Sequence, residues 1–248
     1  MAQFSLAPEE KRAAIARLFA AIAPRYDLMN HVMTSGLDVC WRRRACALLP
    51  LPPTPLLPVL DVGTGTADLA ITLAQRRPDV RVVGLDPSVE MLARGAIKVA
   101  QRGLNSRLGL TRGEAEALPF PDASFAAVIS AFALRNLTDL PLALREMRRV
   151  VVPGGAVLCL ELSQPRTPLF ATLFRPYFTR LVPVLGSLIA GQRAAYQYLP
   201  ASVDAFLSPA GLIQAMVDAG LSGVRAVPLT LGTACIHVGL RPAELEYG

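Results

Sequence analysis

The sequence predicts an α/β protein built on a doubly wound, mostly parallel β-sheet, and three observations support this prediction. An apolar run at Val59–Val62 leads through a glycine turn and a helical pattern into a second apolar run, Val80–Leu85, which Asp86 follows directly. Short apolar runs then alternate with helical patterns, which is typical of parallel sheets with right-handed crossovers. The chain has 248 residues, of which 52% are hydrophobic and 18% charged, so it can bury the core of one large domain.

The segment before the first strand, residues 1–50, is predicted to form an N-terminal helical cap. Pro8–Ile22 has apolar positions at helical spacing, and Pro24 ends the pattern. Arg25–Ala45 mixes aromatic, amide and small residues without a clean amphipathic period, so either a lid over a pocket or a packed helix would fit. Pro50–Pro58 contains five prolines and breaks the chain before the core.

The core, residues 57–161, is predicted to consist of alternating strands and helices. Ser88 is a candidate N-cap for the second helix, and Pro153–Gly155 reads as a turn before the fifth strand. The predicted strands are Val59–Val62, Val80–Leu85, Arg107–Thr111, Ala126–Ser130 and Ala156–Glu161, and the predicted helices are Thr66–Arg76, Ser88–Gln101 and Leu140–Val150.

The remaining chain is divided into an insertion, residues 165–205, and a closing unit, residues 206–242. The insertion is apolar but is interrupted by arginines and prolines, so we expect no membrane span. It could cover the site, touch a bilayer, or be an ordinary buried helix. The closing unit holds a helix at Pro209–Ala219 and strands at Val224–Leu229 and Ala234–Leu240, which completes seven strands.

The glycine turn and the acid after the second strand indicate a nucleoside ligand. Asp86 follows Gly65 at the distance expected of an acid that accepts both ribose hydroxyls. The alternative is a tight turn in any βαβ unit, with Asp86 only capping the next helix. A dinucleotide fingerprint would have glycine where Asp68 stands, and an acid at a helix N-terminus disfavours a pyrophosphate. S-adenosylmethionine, which has a ribose and a sulfonium but no phosphate, fits better.

Composition and charge exclude several other classes. The net charge is +6, but aromatic residues are only 6%, and no stacking platform interleaves with basic residues, so nucleic acid is not an expected partner. We expect the arginine clusters at 42–44 and 148–149 to form solvated basic faces. Four cysteines and two histidines lack metal-ligand spacing, so no metal is predicted, and a reduced, cytoplasmic protein without a signal peptide is expected.

Six further motifs of the chain are YDLMN at 26–30, EALPFPDASF at 116–125, LRNLTD at 134–139, RVVVPGG at 149–155, YQYLPAS at 196–202 and GTACIHVGLRP at 232–242. Together they resemble the menaquinone/ubiquinone C-methyltransferase (UbiE) family of class I S-adenosylmethionine-dependent methyltransferases. PGG and LPFPD occur in many methyltransferases, whereas YDLMN, LRN and YQYL in this order are more specific.

The resemblance implies a Rossmann-like methyltransferase fold and C-methylation of a polyprenylated quinol, most simply demethylmenaquinol to menaquinol. It places Arg135, Asn136 and Tyr26 at the reacting methyl as candidate catalytic residues. A carbon nucleophile of this kind must lose a hydroxyl proton to a base or to an oriented water. The implied S-adenosylmethionine contacts are Asp61, Gly63, Gly65, Thr66, Asp86, Glu114, Ala115 and Ala131.

The chain departs from the family pattern at two of the implied cofactor contacts, Glu114 and Ala131, and at Ala67 in the glycine turn. Ala67 stands at the third glycine of the turn, where we expect its methyl group to crowd the cofactor. Glu114 replaces Asn or Asp, although Ala115 can still donate its backbone N–H to adenine. Ala131 replaces a common Ser and can contribute only its backbone.

Simpler roles remain open for the catalytic candidates. Arg135 could form a structural ion pair with Asp139 or Glu146, and Asn136 could cap the next helix. Tyr26 could be a core aromatic residue with a satisfied hydroxyl. His31 is an alternative base.

Other functions also remain open. A methyltransferase of another small aromatic or natural-product substrate would share most of these motifs, and a non-catalytic quinone-binding protein could keep the fold. A nicotinamide-dependent dehydrogenase is disfavoured by Asp68. A prenylated substrate suggests a peripheral contact at the inner face of the membrane, and similar folds often form homodimers.

Overall fold

The computed structural model describes residues 8–51, 56–164 and 193–243. The strands are β1 Val59–Val62, β2 Val82–Asp86, β3 Leu108–Arg112, β4 Phe125–Ala131, β5 Val151–Leu162, β6 Ser222–Leu229 and β7 Ala234–Leu240. They form one seven-stranded sheet in the order β3-β2-β1-β4-β5-β7-β6. β7 pairs antiparallel with both of its neighbours, and the other strand pairs are parallel. The predicted mostly parallel, seven-stranded α/β fold is therefore confirmed.

Helices cover both faces of this sheet. The described helices are α1 Pro8–Ile22, α2 Tyr26–Met33, α3 Leu37–Leu48, α4 Asp68–Arg76, α5 Val89–Gln101, α6 Leu140–Val150, α7 Arg193–Ala205 and α8 Pro209–Asp218. Alternate residues of the central strands enter two separate cores, because successive side chains of a strand point to opposite faces. One core holds apolar residues of α3, α4 and α5, and the other holds those of α6 and α8.

Three local predictions differ from the structure. Arg25–Ala45 has no single helical period because it forms two helices, α2 and α3, joined by a turn at Gly36 with φ +78°. The first crossover helix begins at Asp68 instead of Thr66, because the glycine turn continues through Ala67. The Ser88 N-cap is as predicted, since its hydroxyl accepts a hydrogen bond from the Met91 backbone N–H at 3.2 Å.

The third difference concerns Pro153–Gly155, which was predicted to be a turn. These residues belong to β5, where the register moves from Phe125 opposite Val151 to Ala127 opposite Ala156. The extra residues therefore form a bulge inside the strand. The prediction of an insertion at 165–205 falls mostly on residues 165–192, which lie outside the described ranges.

Within the described ranges, no helix combines the length and hydrophobicity needed to cross a bilayer. The same ranges contain no group of three or more His, Cys, Asp or Glu side chains arranged to hold a metal ion.

Candidate active site

The glycine turn after β1 is held against the end of β2 by backbone hydrogen bonds. The N–H groups of Gly63 and Thr64 both donate to the carbonyl of Leu85, at 2.8 and 3.0 Å. Gly65 donates its N–H to Asp86 Oδ2 at 2.8 Å. Gly63 and Gly65 have φ of +68° and +54°, in the left-handed region that favours glycine. The turn therefore brings its backbone next to the acid that ends β2.

A cleft of about 940 Å³ opens over this turn at the carboxyl ends of the strands. A Cβ added at Gly65 would have no atom within 4 Å, so the glycine leaves open space beside the turn. Asp86 and Ser88 form one wall, and the residues after β4 form another. Of the predicted cofactor contacts, Gly63, Gly65, Asp86, Glu114 and Ala131 line this cleft.

Asp86 is buried and held by backbone donors. Its Oδ1 accepts from the Ser88 N–H at 2.9 Å, and its Oδ2 accepts from Gly65. Burial raises the pKa of this carboxyl, and the two backbone donors oppose that rise. Since a carboxylate oxygen has more than one lone pair, each oxygen can also accept from a ribose hydroxyl.

A second cavity, of about 340 Å³, continues the cleft beneath the turn, and we call it the turn cavity. Asp61 and Thr66, two further predicted contacts, line it. The Thr66 hydroxyl donates to Asp27 of the helical cap and accepts from Lys98 Nζ of α5 at 3.1 Å. Its hydrogen bonds therefore join the turn to both elements. Arg42 of α3 also lines the turn cavity.

The expectation about Ala67 changes with the structure. Its methyl group is expected to crowd the cofactor, yet Ala67 is fully buried in the core. Its Cβ faces α5, where a Cβ added at Gly95 would approach it to 3.4 Å. Ala115 lines neither the cleft nor the turn cavity, because its side chain packs in the core beside Leu118; its predicted contact, made by the backbone N–H, stays a prediction.

A third cavity, of about 390 Å³, lies between the helical cap and the turn after β4, and we call it the tyrosine cavity. All three predicted catalytic residues line it, together with Tyr198 of α7 and a mostly apolar remainder. Its lining residues are Leu18, Phe19, Ile22, Tyr26, Met29, Asn30, Met33, Arg135, Asn136 and Tyr198. Tyr26 and Asn136 also line the cleft, so the two spaces meet there.

Hydrogen bonds fix the polar end of the tyrosine cavity. Tyr198 donates its hydroxyl to Asn136 Oδ1 at 3.1 Å, and Asn136 Nδ2 donates to the Phe132 carbonyl at 3.4 Å. Burial raises the pKa of both Tyr26 and Tyr198. Both hydroxyls therefore stay protonated at neutral pH, and the single proton of the Tyr198 hydroxyl is already donated to Asn136.

Arg135 forms an ion pair that was not predicted from the sequence. Its Nη1 donates to Glu161 Oε2 at 2.9 Å and to the Phe132 carbonyl at 2.7 Å. The expected alternatives, Asp139 and Glu146, have other roles: Asp139 caps α6, and Glu146 pairs with Arg149. Since Asp139 caps α6, the helix cap suggested for Asn136 is also wrong.

His31, the alternative base, lies outside this cavity. Its side chain is exposed, and its Nδ1 is 3.4 Å from Asp38 Oδ1.

The prediction of a solvated basic face at residues 42–44 is wrong for Arg42, which is buried, although Arg43 and Arg44 are exposed. Sequence reasoning missed Arg42, Glu161 and Tyr198 as site residues; YQYL, which contains Tyr198, was noted only as a motif.

The strand order, the glycine turn and the cleft above it define a protein of the class I methyltransferase fold. Two solved structures share this fold with TM-scores of 0.61. One is a complex of the Haloferax volcanii Trm112 methyltransferase activator with a methyltransferase, 21% identical, covering 90% of this chain and 97% of that one. The other is a Thermotoga maritima S-adenosylmethionine-dependent methyltransferase, 15% identical, covering 92% of this chain and 99% of that one.

The chain belongs to the ubiE/COQ5 methyltransferase family, whose model matches residues 7–241. It is 47% identical to a demethylmenaquinone methyltransferase of Thermus thermophilus, covering 91% of this chain and all of that one. It is 40% identical to a ubiquinone/menaquinone biosynthesis C-methyltransferase of Geotalea daltonii, and the match covers 93% of this chain and 97% of that one. Family and fold together imply that the methyl donor is S-adenosylmethionine.

Proposed function

We propose that this protein transfers a methyl group from S-adenosylmethionine to a ring carbon of a polyprenylated quinol, converting demethylmenaquinol to menaquinol. The observation that carries the proposal is the junction of the cleft with the tyrosine cavity at Tyr26 and Asn136. A cofactor in the cleft would meet an acceptor in the tyrosine cavity there. The relatives named as demethylmenaquinone methyltransferases support this choice of acceptor.

The residues around the cleft fit S-adenosylmethionine. We assign its ribose to Asp86 and its adenine to the wall at Glu114, with the backbone N–H of the neighbouring Ala115 as a hydrogen-bond donor. The turn at Gly63 and Gly65 allows close approach of the ligand. When bound, the cofactor supplies an electrophilic methyl group on a sulfonium.

The lining of the tyrosine cavity is chemically suited to an aromatic ring with one polar end. Its lining is mainly apolar, and Arg135, Asn136 and the two tyrosines form its polar part. Holding a nucleophile close to the methyl group can supply much of the rate acceleration. We assign this positioning to Tyr26 and Asn136, and stabilisation of the deprotonated hydroxyl to the Arg135 guanidinium.

The described part of the cavity lining contains no carboxylate and no imidazole. Because a guanidinium cannot act as a base and burial keeps the tyrosines protonated, we propose that a water molecule accepts the quinol proton.

The test is methyl transfer by purified protein from labelled S-adenosylmethionine to chemically reduced demethylmenaquinone. Formation of methylated naphthoquinol supports the proposal, and Tyr198→Phe and Asn136→Ala should both reduce the rate. Turnover only with a polyprenyl methoxybenzoquinol would move the assignment to ubiquinone synthesis. Cofactor binding without turnover on either quinol would favour another small aromatic acceptor, and absence of cofactor binding would overturn the proposal.

Because a prenylated acceptor is held in a bilayer, we also propose that this cytoplasmic protein associates peripherally with the inner face of the membrane. The apolar segment that suggested this contact, residues 165–191, lies outside the described ranges. Flotation with vesicles containing menaquinone precursors tests it, and protein that stays with the soluble fraction would contradict it. The homodimer remains a prediction, which light scattering can check.

A further inference from the structure

The guanidinium of Arg135 is held through one of its nitrogens. Its Nη1 donates to Glu161 Oε2 at 2.9 Å and to the Phe132 carbonyl at 2.7 Å. Neither bond uses Nη2, and Arg135 lines the tyrosine cavity. Because a guanidinium is planar and rigid, fixing Nη1 also fixes the direction of Nη2. Nη2 is therefore the donor that remains for an acceptor oxygen in the cavity.

Glu161 can act on that oxygen only through Arg135. Its side chain is 2% exposed, and it lines neither the cleft nor the turn cavity nor the tyrosine cavity. Its Oε2 also accepts from the Leu162 N–H at 3.2 Å, while its Oε1 is buried without a partner among the described residues. A carboxylate buried with one oxygen unpaired costs free energy, so packing alone does not explain its presence.

The backbone already attaches the turn after β4 to β5 without this ion pair. Ala131 of β4 lies opposite Leu160 of β5, and the next residue, Phe132, donates its N–H to the Leu160 carbonyl at 2.8 Å. The Glu161 carboxylate is therefore not needed to place the turn. What it determines is the direction and the net charge of the Arg135 guanidinium.

We propose that Glu161 is a positioning residue for methyl transfer, which orients the Arg135 guanidinium towards the acceptor and offsets part of its charge. This inference rests on the proposed function, in which Arg135 stabilises the deprotonated quinol hydroxyl. It adds that the strength of this stabilisation is set from β5, by a side chain that does not touch the acceptor.

The sign of the charge effect follows from electrostatics. A positive charge near a hydroxyl favours its deprotonated form, and a negative charge nearby opposes this. With the Glu161 charge removed, the guanidinium would stabilise the quinol anion more strongly, so the quinol would lose its proton at lower pH. The anion would also be a weaker nucleophile, because a more strongly stabilised anion donates its electrons less readily.

Other ionisable side chains face this ion pair. In the described part of the chain they are Tyr26 and Tyr198 in the cavity lining, Cys159 on the same strand as Glu161, and Cys235 opposite Glu161 on β7. Burial raises the pKa of both tyrosines, and it raises the pKa of Cys159 to about 12. These three groups therefore stay neutral around pH 7, and their titration does not replace the charge of Glu161.

The competing explanation is that the pair only fills a buried position, and two variants of Glu161 distinguish it from our proposal. Glu161→Gln keeps the length of the side chain and an oxygen acceptor but removes the charge. Glu161→Asp keeps the charge but shortens the side chain. The test measures kcat against pH for the wild type and both variants, with labelled S-adenosylmethionine and chemically reduced demethylmenaquinone. The pH at which kcat reaches half of its plateau reports the proton lost in the bound complex.

For Glu161→Gln we expect this midpoint to fall by about one pH unit and the plateau kcat to fall about tenfold. For Glu161→Asp we expect an unmoved midpoint and a kcat lower by about tenfold, because the guanidinium turns with its shortened partner. The affinity for S-adenosylhomocysteine in calorimetry should stay within about twofold for both variants, since Glu161 does not line the cleft, and this also shows that they are folded.

Glu146→Gln is the matched control. It breaks another Glu–Arg pair, with Arg149, and Glu146 lines neither the cleft nor the tyrosine cavity. Its kcat and midpoint should equal those of the wild type. If Glu161→Gln does not fold, Glu161→Asp decides alone, and full kcat in that variant would contradict the proposal.

A folded Glu161→Gln with the wild-type kcat and midpoint would overturn the role of Glu161 and leave the proposed function intact. A lower kcat in Glu161→Gln with an unmoved midpoint would do the same, because it would show a general loss of structure. A wild type that methylates no quinol would instead overturn the proposed function, and the wild-type profile shows this before any variant is compared.

Discussion

The ion pair of Arg135 and Glu161 is buried, which predicts how substitutions at either residue change the free energy of unfolding. The same variants show whether a loss of activity comes from catalysis or from folding. The two side chains are 6% and 2% exposed. Glu161 Oε2 also accepts from the Leu162 N–H at 3.2 Å, while Glu161 Oε1 has no partner among the described residues. Arg135→Met would therefore leave a buried carboxylate without its counter-ion, which typically costs about 3–5 kcal/mol. Glu161→Met should cost less, because Arg135 lines a cavity that water can enter.

Replacing both partners should restore most of the loss, because a well-packed apolar pair avoids the desolvation of two charges. We expect Arg135→Met/Glu161→Met to be within about 1 kcal/mol of the wild type, or more stable. Urea unfolding followed by the fluorescence of the single tryptophan, Trp41, measures all three variants. Asp79→Asn, which breaks an exposed pair with Arg77, is the control and should cause no measurable change.

A loss below about 1 kcal/mol for Arg135→Met would show that the pair behaves like a solvated surface pair, and the reasoning from burial would fail. The double variant also separates catalysis from folding. If it is folded but inactive, Arg135 or Glu161 acts in the reaction; full activity would exclude Arg135 as the group that stabilises the acceptor anion.

Three further predictions concern the glycine turn and its surroundings. Burial raises the pKa of Asp61 to about 7, so at this group the folded state binds more protons than the unfolded state between about pH 4 and pH 7. Its contribution to the free energy of unfolding should therefore fall across this interval and level off above it, and in urea titrations Asp61→Asn should lose less stability than the wild type as the pH rises through the interval. Gly65→Ala should lower the free energy of unfolding by only about 1–2 kcal/mol, because of its left-handed backbone, but should block S-adenosylhomocysteine binding in calorimetry. Gly63→Ala should lower the melting temperature more, because its Cβ would overlap a neighbouring side chain. Asp27→Ala removes a 2.6 Å ion pair with Lys98, so limited proteolysis should cut the N-terminal helices faster while the core remains resistant; unchanged cleavage would show that this pair does not hold the cap.

Much of the fold could be predicted because its signals are local. β1 has the predicted bounds, since a glycine turn ends it, and Ser88 caps α5 as its position suggested. The bulge at Pro153–Gly155 could not be predicted, because proline and glycine have the same local preference in a turn and in a bulge. Only pairing with β4 decides between them.

The polar contacts of the candidate site depend on residues that are distant in sequence. Tyr198 reaches Asn136 across 62 positions, and Arg135 reaches Glu161 across 26. No periodicity encodes such pairs. The sequence therefore favoured nearby partners for Arg135, although the short helical turn after β4 directs its guanidinium towards the end of β5.

The contacts of the N-terminal cap explain why no single secondary structure could be predicted for Arg25–Ala45. Tyr26 lines the cleft and both cavities, Arg42 lines the turn cavity, and Asp27 joins Thr66 to Lys98. These polar side chains lie on helix faces that a simple amphipathic pattern would make apolar. Asp27 therefore ties the cap to the glycine turn and to α5. The irregular composition of Arg25–Ala45 follows from its position as a wall of the site, and a cap that opened away from the turn would have to break the contacts of Asp27 with Thr66 and Lys98.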